Sequence, residues 1–129
     1  MGFRILAAGL LVSCASSLTQ VASGPDFELA PGKTVQLAGT GVRVTFLEVV
    51  NDSRCPVDVV CVTAGDAEVR LAVTGEGEDR TVSLHTTQEP RSTTIGAVRL
   101  ELTGLMPSPR STVTVRPQDY RAMIRWSAP

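Results

Sequence analysis

Apolar and polar positions alternate with period two along most of the chain. Val35 and Leu37 share one face of Lys33–Leu37, and Val42, Val44 and Phe46 share one face of the segment after Gly39-Thr40-Gly41. Leu47, Val49 and Val50 then fall out of phase. Because a one-residue slip turns every side chain to the opposite face, this shift predicts a β-bulge near Phe46 or Glu48. Ala67, Val69, Leu71 and Val73 form the clearest inward row, with Glu68, Arg70 and Thr74 outward. Gly75-Glu76-Gly77-Glu78-Asp79 reads as an acidic hairpin loop leading to Arg80–Leu84, with Val82 and Leu84 inward. Thr86–Thr94, containing Pro90, reads as a polar loop. Val98, Leu100 and Leu102 form the next inward row, and Leu105–Arg110 a proline-set turn. Val113 and Val115 read as a short strand ended by Pro117. Tyr120, Ala122, Ile124 and Trp126 line one face of the last segment.

About seven short segments of period two, separated by turn signals and without a helical stripe, predict an all-β fold. The expected architecture is a small antiparallel β-sandwich, Ig-like or a partly open barrel, over residues 26–129. No internal repeat or low-complexity tract is visible.

The N-terminus has a different character. Arg4 precedes an apolar or small run from Ile5 to Val12, the pattern of a secretory signal. As a helix the run reaches only about 12 Å, too short to span a bilayer. Leu11-Val12-Ser13-Cys14 resembles the lipobox of bacterial lipoproteins. That resemblance implies a signal peptide over residues 1–13 and a lipid on Cys14 that holds the mature protein on a membrane surface. The alternative is an ordinary signal cleaved after Ala15 or Ala22, giving a soluble periplasmic or secreted protein. Residues 14–25, small and polar and closing on Gly24-Pro25, read as a flexible tether.

With Arg4 lost in the leader, eleven basic and thirteen acidic residues remain, a net charge of −2. No basic block stands out, which argues against nucleic acid as a partner.

The chain is organised around Asn51–Asp66, which joins two strand-like segments and holds both cysteines outside the leader. In an exported protein Cys55 and Cys61 at this spacing favour a disulfide. Closing so short a loop contributes about 2.4 kcal/mol in the chain-entropy description. A thiol metal site is the alternative; zinc would need two more ligands, and the single histidine, His85, falls outward beside Ser83. Asp52-Ser53-Arg54-Cys55-Pro56, Cys61 and Ala64-Gly65 resemble the signature of small exported bacterial proteins and lipoproteins, where the second cysteine precedes an aromatic. Thr63 stands where that pattern has tryptophan. The resemblance implies export, a disulfide and a β domain, and brings no activity with it.

Arg54 is the loop's most interesting charge, flanked by Asp52 and Asp58. It either ties the loop to the sheet through Asp52, Asp58 or Asp66, or offers a cation to a carboxylate or phosphate ligand. The three aspartates could instead gather calcium, although their spacing matches no EF-hand. For catalysis, Ser53, Ser83, Ser92 and Ser111 lack a nucleophile-elbow context, and the Glu76–Asp79 carboxylates read as a solvated turn. No cofactor is expected. The sequence therefore favours a non-catalytic envelope or secreted domain that binds an envelope protein or has a structural role. A small-ligand or metal-ion module using Asn51–Asp66 is the alternative, and a secreted protease inhibitor comes last.

Overall fold

The computed structural model describes residue 9 and residues 19–129, so Cys14 and, apart from residue 9, the expected signal peptide lie outside the described residues. Nine strands and one 3-10 turn (Pro117–Asp119) lie among the described residues. β1 (Gln20–Ala22), β3 (Thr34–Leu37), β4 (Arg43–Asp52), β5 (Ala67–Gly75) and β6 (Glu78–His85) form one sheet in the order β1-β3-β4-β5-β6. β2 (Asp26–Leu29), β9 (Arg121–Ser127), β8 (Val98–Met106) and β7 (Ser92–Ile95) form the other, in the order β2-β9-β8-β7. The architecture is the expected all-β sandwich. All pairings are antiparallel except β1 with β3.

The inward rows read from the sequence become one core. Val35, Leu37, Val44, Phe46, Val69, Leu71, Val73 and Leu84 from the first sheet and Leu29, Ile95, Leu100, Leu102 and Ile124 from the second are essentially inaccessible. Tyr120 and Trp126 pack against its margin. Continuous burial of this kind is the dominant favourable term in folding, at about 25 cal/mol per Å² of apolar surface. The hairpin after β5 turns on Glu76 and Gly77, both at positive φ, as the twist of a two-residue loop requires.

The predicted bulge lies between Phe46 and Glu48, and a second lies between Val49 and Asn51. The inserted residues, Leu47 and Val50, are exposed. Two bulges in one strand bend β4 toward its C-terminal end, where the central loop begins.

Four expectations are corrected. Ser92–Thr94 are not loop but the start of β7, an edge strand held by backbone pairing of Ser92 with Glu101 and Thr93 with Leu100 and anchored in the core only through Ile95. Val113 and Val115 form no strand; Arg110 and Val113 make a single bridge, and Val113 is exposed. Prolines at 107, 109 and 117 remove the donors a ladder there would need. Asn51 and Asp52 are the last residues of β4 rather than loop. Finally, the ordered domain begins ahead of Asp26. β1 pairs with β3, Ala22 is buried, and the Trp126 indole donates to the Gly24 carbonyl at 2.8 Å.

Candidate functional site

Two long connections share one end of the sandwich: residues 53–66, between β4 and β5, and residues 107–120, between β8 and β9. The first begins as a continuation of the β4–β5 ladder. Ser53 N donates to Asp66 O at 2.7 Å and Cys55 N to Ala64 O at 2.9 Å. The Cys55–Cys61 disulfide then closes the tip, with Cα atoms 5.9 Å apart. Gly65 makes this path possible. Its φ is +68°, and a Cβ there would sit 1.8 Å from the Ser53 carbonyl oxygen, so any side chain would force the two strands of the stem apart.

Arg54 sits in this stem with its side chain only 13% exposed. Its Nε and Nη2 donate to the two Asp52 oxygens, each at 2.8 Å, in a two-point fork. Nη1 donates to Leu105 O at 2.6 Å and Nη2 to Pro107 O at 3.0 Å. Four of the five guanidinium donors are thereby engaged. The Tyr120 hydroxyl, from the far end of the second connection, donates to Asp52 at 2.9 Å. Burial pushes the Asp52 carboxyl up, but the Arg54 and Tyr120 hydrogen bonds and the Arg54 charge outweigh it and hold its pKa below the usual value. Burial and the same carboxylate raise the Tyr120 phenol to about 12. Arg54 thus bolts the loop stem to the β8 end across more than fifty residues of sequence.

The other two aspartates go elsewhere. Asp58, in the tip, accepts from Ser111 N at 2.9 Å and from the Ser111 hydroxyl at 2.5 Å, bonds that lower its pKa. Val57 N donates to Pro109 O at 2.9 Å, a second tie between the two connections. Asp66 is buried at the foot of the stem. It meets His85 Nδ1 at 2.7 Å and accepts from Thr87 N at 2.9 Å and Gln88 N at 3.2 Å. Burial again works against its charge, yet these bonds win and hold the carboxyl at about 2. Asp66 therefore caps the turn that carries the chain from β6 toward β7. His85 takes the outward phase expected, opposite Glu68, but is engaged there: it is 18% exposed, and its Nε2 lies 3.7 Å from Glu68.

Asp52, Asp58 and Asp66 are thus not drawn together around one point, and Arg54 pairs with Asp52 rather than Asp58 or Asp66. Among the described residues no group of three or more His, Cys, Asp and Glu side chains is arranged to hold a metal ion. None of Ser53, Ser83, Ser92 and Ser111 hydrogen-bonds His85; Ser53 engages Asp66 O and Ser111 engages Asp58.

Most of the large side chains that the tip exposes are apolar, with Asp58 exposed among them. Val57 and Val59 are about half exposed, and Val60 and Val62 are fully exposed at 101% and 105%. Thr63 is exposed as well, so the position where the resembled pattern has an aromatic faces solvent here. Met106 at the end of β8 and Val113 on the neighbouring connection are exposed, as are the β4 bulge residues Leu47 and Val50. The loop's charges draw attention in the sequence, and these valines do not. The signal was present: four valines within six positions inside a loop that a seven-residue disulfide ring keeps from becoming a strand.

Compared with known protein families, curated proteins and solved structures, the chain matches none.

Proposed function

We propose that this protein is a non-catalytic, exported docking domain, held at the cell envelope by a lipid on Cys14, with the Val57–Val62 tip as its contact surface. The division of labour within residues 51–66 carries this reading. Every charged side chain there is turned to construction: Arg54 to Asp52 and two carbonyls, Asp58 to Ser111, Asp66 to His85 and the following turn. The large side chains left unengaged at the tip are aliphatic, with Thr63 as an exposed polar neighbour. Rigid presentation lowers the ordering cost of association, and grouped exposed apolar residues mark interaction sites. A ligand carboxylate or phosphate would find only one free Arg54 donor, which weakens the small-ligand alternative.

Hydroxyl-radical footprinting tests the proposal. The full chain is oxidised in intact envelopes, and a Cys14→Ser form, which carries no lipid, is oxidised free in detergent-free buffer. Selective protection of Val57–Val62 in the envelope supports a docked tip; equal oxidation in both samples removes the proposal.

A further inference from the structure

We propose that the surface met by the tip is the lipid bilayer itself, with Val57, Val59, Val60 and Val62 entering its interface beside the acyl chains on Cys14, an inference that rests on the docking role proposed above.

The path and length of the chain carry it. β1 is parallel to β3 and β3 antiparallel to β4, so the N-terminal end of β1 heads toward the end of the sandwich that bears the 53–66 loop. Gln20 is level with Val35, Val35 with Val44, and Val44 with Val73. The last rung at that end, Asp52 with Ala67, lies six positions further along β5, a distance of roughly 20 Å. Cys14 is likewise six positions ahead of Gln20, and six residues at full stretch span roughly 20 Å. The lipid-bearing residue therefore reaches no further than the Asp52–Ala67 rung. The loop continues past that rung through the Ser53–Asp66 and Cys55–Ala64 bonds, about three residues or roughly 10 Å, before the valines begin. A lipid on so short a lead holds the bilayer surface near the rung and leaves the tip projecting beyond it. Apolar groups of interfacial elements sit at about 5–10 Å in the headgroup and acyl boundary.

The tip's chemistry agrees. Protein hot spots are enriched in Trp, Tyr and Arg, with Val under-represented. Here the projecting side chains are valines, with no aromatic between Cys55 and Asp66. The one charged side chain in the tip, Asp58, is exposed but accepts two bonds from Ser111 at the tip's flank, where it can stay at headgroup level. Arg110, beside that serine, is exposed at the tip's flank, where a cation can meet anionic headgroups.

The test places the photocrosslinker p-benzoylphenylalanine at Val60 in the full-length, lipid-modified chain, with the same group at exposed Thr103 on β8 as control. Irradiation is carried out in intact envelopes and in vesicles of phosphatidylethanolamine and phosphatidylglycerol. Phospholipid adducts at position 60 in both settings, absent at 103 and reduced about tenfold or more when Val62→Asp is added, support bilayer entry. Adducts of position 60 to one protein in envelopes, without lipid adducts in either setting, overturn this inference and leave the docking role standing. Position 60 reacting no more than position 103 in either setting overturns both.

Discussion

Replacing Arg54 by methionine keeps the packed stem of the side chain and deletes its charge. The substitution removes both contacts of the fork to Asp52 and the bonds to Leu105 O and Pro107 O, leaving the Tyr120 hydroxyl as the main side-chain donor to Asp52. Hydrogen bonds to charged groups contribute about 1.5–3 kcal/mol each, but not additively. Removing one partner of a buried ion pair costs about 3–5 kcal/mol, much of it from the charge left behind. The two side chains here are only 13% and 15% exposed, so the lower end applies, about 3 kcal/mol. For a domain of this size that lowers Tm by about 12 °C. The assay is thermal unfolding followed by circular dichroism on wild type, Arg54→Met, Asp52→Asn and the double variant. The double variant is expected to lose no more than Arg54→Met alone, because removing the orphaned charge relieves its penalty. A shift under about 3 °C for Arg54→Met would mean that Arg54 is not the structural bolt described here and would return it to the ligand-facing role.

Further expectations concern the foot and tip of the same loop. Asp66 is held at about 2 against an ordinary 3.8, so its charged form stabilises the fold above about pH 4, and that contribution is lost as pH falls toward 2. Asp66→Asn is expected to lower stability at pH 7 by about 2 kcal/mol, with the gap to wild type closing between about pH 4 and 2 in denaturant titrations. Gly65→Ala, forced to positive φ and against the Ser53 carbonyl, is expected to cost about 3 kcal/mol or more and to raise amide exchange at Ser53 and Cys55. Reducing the disulfide is expected to lower unfolding free energy by about 2 kcal/mol without dissolving the sandwich, whose core lies away from the tip.

The parts of this fold written in local pattern were legible in the sequence. Rows such as Ala67, Val69, Leu71 and Val73 state their burial directly, and the phase slip after Phe46 marks a bulge because period two leaves no other way to absorb an extra residue. The parts set by distant partners were not. Ser92–Thr94 become a strand only because β8 lies alongside; nothing in Ser-Thr-Thr announces an edge. Val113 and Val115 imitate a strand, but Ser111 is held at the tip by Asp58 and the flanking prolines break the ladder. Arg54 had three candidate aspartates within reach along the chain, whereas its choice depended on carbonyls at Leu105 and Pro107 that no spacing rule connects to it. The valine tip was hidden for the opposite reason. Apolar residues are read as interior by default, and only the disulfide ring and the folded stem turn these ones outward.

The residues that build the loop end are separate from the residues that use it. Val60→Asp with Val62→Asp, examined by thermal unfolding and envelope footprinting on the same sample, tests that separation most directly. Both side chains are fully exposed, so Tm is expected to stay within about 2 °C of wild type while the protection of residues 57–62 disappears. Protection that survives two new charges at the tip, or a melting point that falls as far as that of Arg54→Met, would contradict it.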